Sequence, residues 1–398
     1  MNYKKIEKIF KKTIQIKLFN MIAQTQLALR LAEIVHRLTY AKRDQRMKEA
    51  ILRFKKCDSK KSKSQIKKEI ALCKKFWRCY PLHYYRYDFY KKDKELPENE
   101  LLNYIPEFFF YYLFLPFHNS KKNEYLLQNK NKIEQLFRDL GIFQPHTICK
   151  LINNHIYTID LREIGFDYIE KELKEKNYQK IFVKPACGQG GHGIYIFCRS
   201  NNGNYVTNSK KLFNDKFLNE IGIKNDWIIQ SGTEQDPGIS KIYPNSVNTF
   251  RIVTENKNGV TRVLCSELRI GKDGNEVDNF CEGGLVVKID IDTGKLGDYA
   301  ISQKFEYFNK HPNTNFVFKD YQILNWNSLK EFSIESARKL PQFTYLGLDI
   351  ALTVNGPIAL EIHPSFGLDG IQNVVGGLRK ILQIKDPQFY WINKGKRV

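Results

Sequence analysis

The feature that most constrains this 398-residue chain is the segment Ile181-Phe-Val-Lys184-Pro185, Ala186-Cys187, Gly188-Gln189-Gly190-Gly191-His192-Gly193, Ile194-Tyr-Ile-Phe197. An apolar run ends in a lysine, a glycine-rich loop follows, and a second apolar run leaves. Glycines let backbone N–H groups close on phosphate oxygens, and the lysine adds a point charge. No Gly-Lys-Ser/Thr is present, and a strand pattern stands where a helix would begin. Both a P-loop and a Rossmann fingerprint are thereby excluded. Taken alone, the loop also reads as a flexible glycine turn.

A second feature lies near the C-terminus. Two apolar runs, 346–353 and 357–363, flank Val354-Asn355-Gly356, a hairpin signal. Such a hairpin sets Asp349 beside Glu361 on neighbouring strands and puts His363 on the face of Glu361. Carboxylates inside apolar runs are costly unless a cation is present. Magnesium carried on nucleotide phosphates takes one or two of them. The alternative is a carboxylate pair facing water on an edge strand.

Around these features the texture divides. Residues 1–100 hold 27 basic and 11 acidic residues, so +16 of the chain's +21 charge falls there. Residues 1–75 read as helices: a basic one around Ile6, Phe10 and Ile14, then one through Leu27, Leu31, Ile34, Val35 and Leu38. Residues 76–118 are crowded with aromatics, which either fill a helical core or stack on nucleic-acid bases. With no RNA-module motif present, the core is the better expectation and nucleic acid is not an expected partner. From about residue 120, short strand patterns alternate with turn signals such as Asn201-Asn-Gly203 and Asp273-Gly274. Helical patterns interrupt at about 164–176, 208–221 and 327–340, and another is expected from about Asp369 to Gln383. This is a mixed α+β chain, not a regular βαβ alternation.

Eight cysteines without CxxC spacing read as reduced, mostly buried thiols. No secretory signal and no apolar run of ~18 residues is visible. The expectation is a cytoplasmic protein, with the basic first helix able to touch an anionic membrane at its inner face.

In order along the chain, FVKP–GxGGxG, a strand ending in a linker, and D–x11–E–x–H resemble the ATP-grasp superfamily. Asn248-Thr-Phe-Arg251, Asp278-Asn279, Gly283-Gly284, Asp292-Thr-Gly and the GLDGIQ run at 367–372 resemble its sugar-transfer-associated group, met among surface-polysaccharide biosynthesis proteins. The resemblance covers about residues 120–385. It implies two α+β subdomains clamping ATP, at 121–226 and 227–398, after a basic, aromatic-rich helical region at 1–120. It implies that Lys130, eleven residues before Gly141, and Lys184 hold ATP phosphates with Gly188, Gln189, Gly190 and Gly191. Gln230, Ser231 and Gly232 would form the adenine hinge, with Gln230 where many relatives have Glu. Glu234 or Asp236 would meet the ribose. Arg251, with Arg269 on the next strand, would stabilise the transferred phosphate, although Arg269 also reads as a surface ion pair. Asp349, Glu361 and His363 would hold metal. His363 stands where most relatives have Asn; an imidazole there points to manganese as an alternative to magnesium, or to a structural His.

The implied activity is an ATP-dependent carboxylate–amine ligase working through an acyl phosphate. Its substrates would be a carboxylate-bearing saccharide and an amine or amino acid. The alternatives are an ATP-grasp kinase phosphorylating a hydroxyl, and a protein that binds nucleotide or nucleic acid without catalysis.

Overall fold

The computed structural model describes residues 26–188, 193–278, 280 and 283–393. The expected basic helix around Ile6, Phe10 and Ile14 and the loop residues Gln189, Gly190 and Gly191 lie outside these. The chain forms two compact units, one of 1–118 with 375–398 and one of 119–374.

The first unit is helical. Helix α1 spans Gln26–Arg43, α2 Gln45–Lys56 and α3 Lys63–Trp77. Asp44 separates the first two: it sits in extended backbone and its carboxylate accepts from Met47 N, capping α2. Ser62 caps α3 in the same way, and Arg78 closes it in the left-handed region at φ 59°. Trp77, Tyr84, Tyr90, Phe109, Phe110 and Phe114 are fully buried. These aromatics therefore build a core and are not exposed for stacking on bases.

In α1 the packing face differs from the large apolar stripe. Ala28, Leu29 and His36 face inward, while Leu27, Leu31, Ile34, Val35 and Leu38 are 48–71% exposed. Arg30 stacks over Trp391 and Arg37 over Tyr80, each 4.1 Å from the ring centroid. Trp391, on the short helix Pro387–Ile392, donates to Trp77 O at 3.0 Å. The helix expected over 369–383 stops at Val374. Gly376 then takes φ 92°, and a Cβ on Gly377 would lie 2.4 Å from the Asn103 carbonyl carbon.

The second unit holds two antiparallel sheets. The first contains β1 (Thr147–Ile152), β2 (His155–Tyr157), β3 (Lys180–Pro185), β4 (Tyr195–Arg199), β5 (Tyr205–Val206) and β6 (Trp227–Ser231). Their order is β2-β1-β6-β3-β4-β5. Before this sheet comes α4 (Lys130–Asp139); α5 (Phe166–Lys176) and α6 (Asp215–Gly222) pack on the sheet through Ile169, Leu173, Phe217 and Ile221. Helix α6 starts at Asp215, later than residue 208, because Val206 bridges to Leu212 and holds the intervening residues in a turn. Asn214 then caps it.

The second sheet contains β7 (Thr249–Lys257), β8 (Val260–Ile270), β9 (Leu285–Ile289), β10 (Leu296–Ser302), β11 (Tyr307–Phe308), β12 (Tyr345–Thr353) and β13 (Gly356–His363). The order is β11-β10-β9-β8-β7-β12-β13. Helix α7 (Trp326–Arg338) covers it, packing Trp326, Leu329 and Ala337 with Phe250, Ile252, Leu348 and Ile350. All nine residues of β12 are buried, which accounts for its unalternating apolar sequence. The α+β class is as the sequence implies.

Candidate active site

Strand register assembles the site. Asp349 on β12 pairs with Arg251 on β7 and with Glu361 on β13, and Arg251 pairs with Glu267 on β8. One row of charge, Glu267–Arg251–Asp349–Glu361, therefore crosses four strands. Two residues further along their strands, Arg269 and His363 extend it on the same face. The hairpin places Asp349 and Glu361 side by side.

The row is tightly bonded. Arg251 donates from Nε and Nη2 to the two Asp349 oxygens at 2.5 and 2.8 Å. Arg269 Nη1 reaches Asp349 Oδ2 at 3.4 Å and its Nε reaches Glu267 Oε1 at 3.3 Å. His363 Nε2 lies 2.9 Å from Glu361 Oε2 and 3.5 Å from Asp349 Oδ2. Burial works against ionised Asp349, yet Arg251 and Arg269 hold its carboxyl well below the usual range. Burial likewise opposes ionised Glu361, but His363 and Lys130 bring it down to about 2. Burial would lower His363, and its bonds to the two carboxylates raise it instead.

The lysines arrive from the other sheet and from α4. Asn129 caps α4 by accepting from Asn131 N and Lys132 N, which sets Lys130 at the first helical position. Lys130 N donates to Ala186 O at 2.8 Å, and Nζ lies 2.9 Å from both Gly188 O and Glu361 Oε1. Lys132, two residues on, is exposed. Lys184 donates to Gln230 Oε1 at 3.0 Å, and Gln230 Nε2 donates to Thr147 Oγ1 at 3.3 Å. Burial lowers Lys184 to about 8; Glu361 opposes the shift and Lys130 adds to it.

Lys130, Phe182, Lys184, Arg269, Asp278, Asp349 and Glu361 line a cavity of about 140 Å³. A second cavity of about 600 Å³ is lined by Lys180, Gly232, Thr233, Glu234 and Gln235. The two share Phe182, Thr233, Val247 and Glu276, so they adjoin. Gly232 is required there, since a Cβ would lie 2.9 Å from Lys180 Cβ and 3.0 Å from Lys180 O. Its N–H donates to Lys180 O, and Ser231 N–H donates to His146 O.

Several expected residues hold different places. Arg251, expected at the transferred phosphate, is 4% exposed and turned onto Asp349; Arg269 is the arginine that lines the cavity. The Arg269 alternative of a surface ion pair is overturned, because only 15% of its side chain is exposed. Asp236 uses its carboxylate to cap the turn Pro237–Ser240, accepting from Gly238 N and Ile239 N. Glu234 is exposed at the wider cavity.

Sequence reading missed Glu267 and gave no role to Asp278. Glu267 is 1% exposed. Asp278 accepts from Thr249 N at 2.9 Å and from Thr249 Oγ1, and burial pushes it up to about 6. The available signal for Glu267 was charge at alternate positions inside an apolar strand, Glu267 with Arg269. Asp278, outside any strand, had none of this kind.

Asp349, Glu361 and His363 bring one donor atom each to within 4.8 Å of one another. Two carboxylates and an imidazole suit a divalent cation. Glu361 keeps spare lone pairs beside Lys130 and His363. Both Asp349 oxygens are taken by Arg251, Arg269 and His363, so a cation would displace one of those partners. Seven cysteines, at 57, 73, 79, 149, 187, 198 and 265, are free thiols.

Among solved structures, the chain resembles the biotin carboxylase domain of 2-oxoglutarate carboxylase from Hydrogenobacter thermophilus at 12% identity, covering 69% of this chain and 47% of that one, with a TM-score of 0.37. D-alanyl-alanine synthetase A from Vibrio cholerae aligns at 12% identity over 67% of this chain and 66% of its own, with a TM-score of 0.37. N5-carboxyaminoimidazole ribonucleotide synthetase from Thermotoga maritima aligns at 13% over 68% and 52%, with a TM-score of 0.33. The chain thus spans about half the length of the first and third. No curated protein matches the sequence. The family model described as sugar-transfer associated ATP-grasp matches residues 112–384, most of the chain and the whole cleft. The chain belongs to the sugar-transfer associated ATP-grasp family.

Proposed function

We propose that this protein is an ATP-dependent ligase that activates a carboxylate as an acyl phosphate and joins it to an amine. The observation that carries the reading is the meeting of Lys130 and Lys184 with the Asp349–Glu361 pair in one cleft. Phosphate-binding cations and metal-binding carboxylates are both needed to move a phosphoryl group.

In this reading Lys130 and Lys184 hold the phosphate chain. Both are already poised on acceptors, Lys130 on Glu361 and Gly188 O, Lys184 on Gln230. Phosphate oxygens replace those acceptors at small reorganisation cost. A divalent cation held by Asp349, Glu361 and His363 would neutralise phosphate charge as a Lewis acid. Gly232, Thr233 and Gln235 line the wider cavity, where the base would lie, with Glu234 the candidate ribose partner. Arg269 faces the transferred group, and Arg251 fixes Asp349.

The γ-phosphoryl group passes to a carboxylate oxygen, releasing ADP. The amine then attacks the acyl carbon, and phosphate leaves as the amine's proton is lost. Gly188 and the loop after it would exclude water from the acyl phosphate. The family's description supports a saccharide as the carboxylate bearer. The nucleophile in this reading is an amino acid or simple amine, and the reaction takes place in the cytoplasm.

The test is ADP release measured with uronic-acid saccharides, with and without amines. ADP formation that requires both, with an amide product, is the expected result. ADP formation with a hydroxyl acceptor and a stable phosphoester product would replace ligase with kinase.

A further inference from the structure

Helix α1 bears Leu27, Leu31, Ile34, Val35 and Leu38 on its outer side, each 48–71% exposed. Their spacing gathers them into one stripe ~100° wide, the width that ordinarily faces a core. The core-facing side of α1 is a different one, formed by Ala28, Leu29 and His36. A continuous exposed apolar stripe marks a contact surface.

The rim of the stripe decides what covers it. Arg30 and Arg37 border one edge, and Lys42 and Arg43 follow the stripe at its C-terminal end, all exposed. The other edge carries Thr39 and Ala32. The acid on this part of the helix, Glu33, turns inward to accept from Tyr80 N–H at 2.8 Å. The rim is therefore basic along one edge and at the C-terminal end, with no acid facing it. Residues 1–25 carry six lysines and one glutamate, so laying them along α1 would set like charge against like charge. A second copy of α1 would do the same. A surface of anionic headgroups satisfies both parts: the stripe enters the acyl boundary and the rim meets phosphate.

We propose that α1 is a peripheral membrane-binding element that lies in the interface of an anionic lipid bilayer. No helix among the described residues is long and apolar enough to cross a membrane, so the contact is lateral. This inference does not depend on the activity proposed above.

The full chain is tested by co-sedimentation with vesicles of phosphatidylcholine alone, or mixed with phosphatidylglycerol, at low and high salt. Binding is expected only to the anionic vesicles and is expected to weaken with salt. Leu31→Gln with Leu38→Gln is expected to weaken it about tenfold or more while leaving the thermal midpoint unchanged. Failure of the wild-type chain to bind anionic vesicles at low salt overturns the proposal. So does a fall in thermal midpoint on the α1 substitutions, which would show the stripe packed. Conversion of a dimer to a monomer in light scattering, without a change in vesicle binding, assigns the stripe to a second copy. The full-length variant Ile6→Gln, Phe10→Gln, Ile14→Gln is the contrast. Binding that is lost there yet survives the α1 substitutions places the membrane contact elsewhere.

Discussion

Lys184 shows how one residue's surroundings set a working range. Its hydrogen-bond partner on the neighbouring strand is neutral Gln230, so no counter-ion at that position offsets burial, and the ammonium is depressed to about 8. Triphosphate binds the charged form, which raises the bound-state value above the free one. ATP affinity is therefore expected to be full below about 8 and to fall as pH rises through that value. Calorimetric titration at a series of pH values reads this directly, and a flat profile to pH ~10 would remove Lys184 from the phosphate site. Gln230→Glu supplies the missing charge and should move the fall to higher pH. Lys184→Ala should weaken ATP binding at least tenfold, about 1.4 kcal/mol.

At the level of elements, the β12–β13 hairpin was legible and the four-strand row was not. Asn355-Gly356 between two apolar runs fixes the turn, and the period of two puts Glu361 and His363 on one face. Counting from the turn, however, sets Asp349 opposite Leu360. A register shift between Asp349 and Ile350, with no local marker, brings Glu361 there instead. Nothing local says that β7 pairs with the other edge of β12, so the Arg251–Asp349 contact, 98 residues apart in sequence, was beyond reading. That contact changes what substitutions mean. Asp349→Asn leaves Arg251 and Arg269 buried without their shared counter-ion, and should cost about 3 kcal/mol of stability as well as activity. Glu361, more exposed and held by Lys130 and His363, is the cleaner probe. Glu361→Gln should abolish ADP formation with little loss of thermal midpoint; near wild-type turnover would move the metal site elsewhere. His363→Asn should shift metal preference from manganese toward magnesium. An unchanged ratio of activities would make His363 a structural residue.

Across the whole molecule, the α+β cleft unit carried far more local signal than the helical one. Its strands are punctuated by Gly and Asn turns, whereas side-chain caps mark helix starts in both units, Asn129 and Asn214 here and Asp44 and Ser62 in the helical one. In the helical unit the aromatic crowding foretold a core, but not which face of α1 would meet it. A packing face of Ala28, Leu29 and His36 is quieter in sequence than the stripe opposite, because it offers one large aliphatic side chain where the stripe offers five. The addition of Trp391 to this core likewise had no local marker beyond one short aromatic run. Two compact units with separate cores need not melt as one. The helical unit holds a buried ion pair, Arg86 with Glu107, and breaking it with Glu107→Ala should cost about 3 kcal/mol there. ATP should instead stabilise the unit that contains the cleft, by about 2.7 kcal/mol at a hundred times its dissociation constant. Differential scanning calorimetry is expected to resolve two transitions, one lowered by Glu107→Ala and the other raised by ATP. A single transition moved by both would mean that the two units unfold as one cooperative body.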